Sequence, residues 1–209
     1  MISVSYFACF SKIILGEDYD PKTGKYIAHT NDDVYLGMFE ANEEEWLKKV
    51  YYKSFPLIRF GKPQPVIEIN GKEYRPRCEV IVLDGDKALV DPTNSRGSMG
   101  YSLPGGGIDP EESIADGAKR ECEEEARVIP KKITYTGLAW NMHFANTKQK
   151  IAYDGSVSFI CVAEYGKKFK GYVKVADRDT FVDNAIWIPI SQLSEPHQKA
   201  IEKYRTEHS

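Results

Sequence analysis

The chain has 209 residues, 42% hydrophobic and 28% charged, with a formal net charge of −3 and four cysteines. That length suits one sizeable domain, or one domain with a smaller lobe, and the composition is that of an ordinary globular protein. The acidic balance argues against a general nucleic-acid binder, whose footprint is a basic excess, and no run approaches the roughly 18 apolar residues of a membrane helix.

The leading segment MISVSYFACFSKIIL has no basic start, no continuous apolar stretch and no small-residue cleavage site. Cys9, Cys78, Cys122 and Cys161 are scattered without a C-x-x-C pair. The expectation is a cytoplasmic protein with reduced thiols rather than a disulfide framework or a zinc site. Residues 1–75 read as an N-terminal extension or small lobe, because a segment of that size makes a marginal core by itself. Within it, Trp46, Leu47, Val50 and Tyr51 recur at helical spacing behind Asn42, so a helix is expected over Asn42–Tyr52. Val66–Ile69 and Lys72–Arg75 flank Asn70-Gly71, a strong hairpin signal.

Residues 76–209 read as the main domain. Glu79–Leu83 and Lys87–Asp91 flank Asp84-Gly85, a second hairpin signal. Next comes Leu103-Pro104-Gly105-Gly106-Gly107, a turn without side chains at which backbone groups can approach a ligand closely. Asp109 as N-cap, Pro110 at the first helical position and Glu112 closing a capping box predict a helix that starts there. Ile114, Ala115, Ala118 and Cys122 supply its apolar stripe. On that helix Glu121, Glu124 and Glu125 fall at i, i+3 and i+4. Like charges at this spacing cost roughly 0.2–0.5 kcal/mol per pair, a repulsion that a divalent cation held by hard oxygen ligands cancels. The alternative reading of such a charge run is a solvated, salt-bridged helix face. Ile133–His143, Ser156–Glu164 and Ala185–Pro189 read as strands, and Ser191 as the start of a polar C-terminal helix.

The stretch GGIDPEESIADGAKRECEEEARV resembles the Nudix box, G-x5-E-x7-R-E-U-x-E-E-x-G-U with U a bulky apolar residue. Gly106, Glu112, Arg120, Glu121, Glu124, Glu125 and Val128 match in register, and Cys122 stands at the first apolar place. Arg127 occupies the position of the family glycine, which ends the helix in a left-handed conformation; another residue there costs roughly 1–2 kcal/mol. Gly117 inside the helix costs about 1 kcal/mol against alanine.

The resemblance implies an α/β fold of the α+β type, a Nudix-like α/β/α sandwich with a mixed sheet, over residues 76–205. It implies hydrolysis of a phosphoanhydride in a nucleoside diphosphate linked to another group, with Mg2+ or Mn2+ as cofactor. By matched position Glu121, Glu124 and Glu125 would be metal ligands together with the carbonyl of Gly106. Glu121 or Glu124 would also polarise the attacking water, and Arg120 would hold the carboxylates. Glu112 is either an outer partner of the ion or a capping residue. Many relatives add an acidic residue from beyond the box, for which Glu164, Asp177, Asp179 and Asp183 are candidates.

The expected partner is a small nucleotide derivative, such as ADP-ribose, a nucleotide sugar or a nucleoside triphosphate. No long nucleic acid and no membrane are expected, and a homodimer is one option. The window Met142–Asn146 carries neither the proline of ADP-ribose enzymes nor the tyrosine of dinucleoside polyphosphate enzymes. Phe144, Trp140 and Tyr101 are candidates to stack on a base or ribose, against the alternative that they are core. Arg75, Arg77 and Arg96 are candidate phosphate contacts, and His143 is either an acid/base group or a structural histidine. The competing function is a non-catalytic nucleotide-binding regulator or assembly component; the four box glutamates favour the enzyme.

Overall fold

The computed structural model describes residues 34–53, 63–92, 100–143, 153–168, 170 and 185–208, with the short paired strands β1 (Tyr19–Asp20) and β2 (Lys25–Tyr26). In order follow β3 (Val34–Glu40), α1 (Glu43–Leu47), β4 (Val50–Lys53), β5 (Gln64–Ile69), β6 (Lys72–Asp84) and β7 (Lys87–Val90). Then come α2 (Ile114–Glu124), β8 (Val128–His143), β9 (Gly155–Lys168), β10 (Ile186–Pro189), a 3-10 turn (Ile190–Gln192) and α3 (Glu195–Glu207).

Among the described residues, eight strands form one mixed sheet in the order β10-β7-β6-β9-β8-β3, with β5 paired to β6 and β4 to β5. Only the β6–β9 pairing in this sheet is parallel. The strand β6 is unusually informative. Tyr74, Cys78, Val80 and Val82 enter one core cluster, with Ile114, Ala118 and Cys122 of α2. Ile81 and Leu83 enter the other, with Ala200, Ile201 and Tyr204 of α3. The period of two thus gives the sheet two buried faces and one helix on each, which is the expected α/β/α sandwich. Burying a side chain such as Ile114 contributes about 1.5–3 kcal/mol, so the stripe on α2 fixes which face of the helix turns inward.

Both hairpins form. Asn70 and Gly71 take φ of 53° and 75°, the left-handed pair that a tight two-residue turn requires. The second turn falls one residue later than expected, on Gly85-Asp86, because Asp84 pairs with Lys87. The strand β6 runs unbroken through residues 75 and 76, where the main domain is expected to begin, and β3, β4 and β5 join the same sheet.

Two elements differ from expectation. The helix expected to Tyr52 ends at Leu47, and Val50–Lys53 pair instead with Pro65, Val66, Ile67 and Gln64 of β5. Val50, Tyr51 and Tyr52 are β-branched or aromatic, and an open strand edge outweighs their weak helical preference. Trp46 still anchors α1, against Phe39 and Phe159 at ring-centroid distances of 5.4 and 6.2 Å. The terminal helix starts at Glu195 behind Ser194, not at Ser191, with Pro196 in its first turn. Proline lacks the N–H that an interior helical position needs and is tolerated in the first turn, which places the boundary here.

Candidate active site

The glycine turn lies alongside a strand. Val80 N–H donates to the Pro104 carbonyl, Cys78 N–H to that of Gly106 and Ile108 N–H to that of Pro76, at 2.8, 2.9 and 3.2 Å. Residues 104–108 therefore fill the edge of β6 between the parts paired with β5 and β7. What faces each glycine differs. A Cβ on Gly106 would stand 2.6 Å from Glu121 Cδ, and one on Gly107 would stand 2.9 Å from Arg75 Cζ. A Cβ on Gly105 would meet the backbone of Cys78 and Glu79. Gly105 and Gly106 are needed for space, whereas only the movable end of Arg75 faces Gly107, and none of the three takes a positive φ.

The helix start corrects the sequence reading. Ser113 is the N-cap of α2, its side chain accepting from Asp116 N–H. Asp109–Glu112 form a separate turn, in which Asp109 N–H donates to Glu112 Oε2 at 2.9 Å. The reciprocal bond of a capping box is thus made, but Glu111 takes φ 66°, which stops that turn from continuing as helix. Arg127 takes φ 54°, the left-handed conformation expected of the family glycine position. Gly117 admits Glu112: a Cβ there would lie 3.1 Å from Glu112 Oε2.

Arg120 organises the centre. Its Nε and Nη2 donate to Glu112 Oε1 and Oε2, both at 3.0 Å, as a two-pronged pair. Its Nη2 also donates to the Gly107 carbonyl at 2.7 Å, and its Nη1 to Glu121 and, at 3.5 Å, to Glu124. Burial opposes the charge on Arg120, but the bonds from Glu112 and the charge of Glu121 outweigh it and raise its pKa above the ordinary value. Glu121 is 5% exposed. Burial raises its pKa, against the lowering effect of Arg120, and the neighbouring Glu124 adds to the rise. Glu125 accepts the Gly105 N–H at 2.8 Å.

Among the described residues, no three His, Cys, Asp or Glu side chains gather closely enough to hold a metal ion. Glu121, Glu124 and Glu125, the expected ligands, each rest on a partner within the protein. Arg120 engages Glu121 and Glu124, while the glycine turn engages Glu125. The Gly106 carbonyl accepts from Cys78 N–H and retains a second lone pair. The donor set of carboxylates beside free carbonyl capacity, with one buried and charge-strained, is nevertheless that of a hard divalent cation.

Other candidates scatter. Glu164 pairs with Leu83, whereas Phe159 pairs with Cys78 at the level of Gly106. At roughly 3.3 Å per residue Glu164 lies about 17 Å along the sheet from that level. Its Oε1 accepts from Tyr204 OH at 2.6 Å. Tyr101 and Trp140 are core, packing on the buried His197 at ring-centroid distances of 5.8 and 5.0 Å, so neither is free to stack on a substrate. Arg77 Nη2 donates to the Gly105 carbonyl at 3.1 Å and Arg75 lies against Gly107, so both sit on the turn. Arg96, Phe144, Asp177, Asp179 and Asp183 fall outside the described residues, as does the side chain of His143. Cys78, Cys122 and Cys161 are free and buried; burial pushes the Cys78 thiol up to about 12.

Sequence reasoning missed Glu79 and His197. Glu79 Oε2 and His197 Nε2 are buried without a hydrogen-bond partner, and His197 Nε2 lies 3.8 Å from Glu79 Oε1. The signal was the alternation Arg75, Arg77, Glu79 on one face of β6, which marks a polar row opposite α2.

A family model for the NUDIX domain matches residues 73–207, well over half of the chain. The chain belongs to that family and is, by class, a Nudix hydrolase. Solved structures that resemble the chain include a NUDIX hydrolase from Nitrosomonas europaea, at 19% identity over 64% of this chain and 90% of that one, TM-score 0.44. An ADP compounds hydrolase is 16% identical over 84% of this chain and 93% of that one, TM-score 0.45. A pyrophosphohydrolase from Bacillus subtilis is 16% identical over 75% and 97%, TM-score 0.44. No curated protein matches.

Proposed function

We propose that the chain hydrolyses a phosphoanhydride bond in a small nucleoside diphosphate derivative, with Mg2+ or Mn2+ as cofactor. The observation that carries this reading is the Arg120 assembly. One guanidinium ties Glu112, Glu121, Glu124 and the Gly107 carbonyl together, so the box helix and the glycine turn form one rigid unit. Glu121, Glu124 and Glu125, with the Gly106 carbonyl, would hold the ion, which supplies neutralisation of phosphate oxygens and a water of lowered pKa.

The chain's own groups have separable tasks. Arg120 restrains the carboxylates, and a change of its partners frees Glu121 and Glu124 for an ion. Glu121 or Glu124 accepts a proton from the attacking water. Arg75 and Arg77, on the other side of the glycine turn, add positive charge where a diphosphate would lie. The family to which the chain belongs supports a diphosphate derivative as the substrate class.

The deciding experiment is a panel of diphosphate compounds, including ADP-ribose, a nucleotide sugar and a nucleoside triphosphate, assayed for released monophosphate or phosphate with Mg2+, Mn2+ or EDTA. Glu121→Gln, Glu124→Gln and Glu125→Gln should each lower turnover at least about 100-fold with unchanged circular dichroism. Wild-type rates in all three refute the assignment. The second reading, a nucleotide-binding regulator, is favoured by the carboxylates being engaged within the protein. It predicts nucleotide binding without turnover on any compound of the panel.

A further inference from the structure

The turn between Gly107 and α2 is braced by residues that lie outside the family match at 73–207. Glu43 Oε1, from the first residue of α1, accepts the N–H of Ile114, the first residue of α2, at 3.1 Å. Tyr52 OH, on β4, accepts the N–H of Glu111 at 3.3 Å. These are not incidental positions. Ile114 N–H is among the N–H groups at a helix start that have no partner within the helix, and the Ser113 side chain is already engaged by Asp116 N–H in the same turn. Glu111 holds a left-handed backbone that a non-glycine residue adopts only under constraint.

We infer that Glu43 and Tyr52 are positioning residues for the active site, so that the segment preceding the family match forms part of the catalytic unit. Glu43 places a carboxylate oxygen on the start of the helix carrying Glu121, Glu124 and Glu125, where negative charge is also favoured by the helix dipole. Tyr52 clamps the strained residue through which the glycine turn enters that helix. The trunk of the chain fixes one end of the unit through Arg120; α1 and β4 fix the other. Neither residue touches the substrate, and both act through the backbone of residues 111–114.

The test has one arm that needs no activity. Amide hydrogen exchange at Glu111 and Ile114 is measured in the wild type, Glu43→Ala, Glu43→Gln and Tyr52→Phe. Glu43→Ala should speed exchange at Ile114, and Tyr52→Phe at Glu111, roughly five- to tenfold, the size of one lost capping bond. Glu43→Gln keeps an acceptor oxygen and should restore protection at Ile114. Tyr52→Phe removes only a hydroxyl, so it carries the test even where Glu43→Ala folds poorly. In the second arm, which rests on the proposed metal site, the Mn2+ dissociation constant should rise several-fold in Glu43→Ala and Tyr52→Phe. Unchanged exchange at both amides, or equal acceleration throughout the sheet, overturns the inference. Local acceleration in a protein whose wild type takes up no Mn2+ upholds the brace and sinks the metal reading alone.

Discussion

Replacing the three turn glycines one at a time separates what each is for. At Gly106 an alanine methyl would fall within 2.6 Å of the Glu121 carboxyl carbon, and that side chain is buried and held by Arg120. Either Glu121 moves or the turn lifts off β6, and overpacking of this kind costs about 1–3 kcal/mol. For a chain of this size each kcal/mol lowers the melting temperature by roughly 2–4 °C, so Gly106→Ala should melt about 2–12 °C lower. At Gly105 the obstacle is the backbone of Cys78 and Glu79, which cannot swing aside, so Gly105→Ala should lie at or beyond the upper end of that range. At Gly107 the obstacle is the guanidinium of Arg75, the far end of a flexible and exposed side chain, so Gly107→Ala should melt within about 2 °C of wild type. Calorimetry on the three variants gives the order directly. Activity and Mn2+ titration then give the functional half: Gly106→Ala should weaken ion binding out of proportion to its stability loss, because it displaces a proposed ligand. Equal melting temperatures for all three, or Gly107→Ala as the worst, would refute the reasoning.

Arg120→Lys keeps the charge but cannot span Glu112, Glu121 and the Gly107 carbonyl; a loss of about 2 kcal/mol is expected by chemical denaturation, with turnover reduced. Arg127→Gly relieves a left-handed backbone worth roughly 1–2 kcal/mol and should raise the melting temperature by about 2–8 °C; an unchanged or lower value refutes this account. Glu73 accepts from Lys53 and Tyr51, and these bonds hold its carboxyl below the ordinary value. The charged form is favoured by the fold, so this contribution is present above the unfolded value and disappears as pH falls through the folded one. Denaturation curves of wild type and Glu73→Gln should therefore differ at pH 7 and converge as the pH drops below about 4. A gap that persists in acid would show that Glu73 acts through packing.

Much of this site was legible before any coordinates. The acidic positions, the arginine and the left-handed residue 127 are local in the chain, and helical spacing together with turn chemistry reports local facts. Misreadings occurred where an element's fate depends on a distant partner. Val50–Lys53 became a strand because β5 offers an edge. For Tyr101 and Trp140 the sequence left stacking and core both open, and packing on His197 of α3 favours core. The start of α2 moved to Ser113 because Glu111 takes a left-handed backbone that interrupts the turn begun at Asp109.

The order of residues alone established the family, the two hairpins and which side chains carry the candidate chemistry, since each follows from spacings of a few residues. Only the tertiary structure decided that the carboxylates rest against Arg120 and the glycine turn, that Glu164 stands away from them, and that Glu43 and Tyr52 reach the box. Those outcomes depend on which strand edges and helix ends meet in space, and no periodicity within a single segment encodes that.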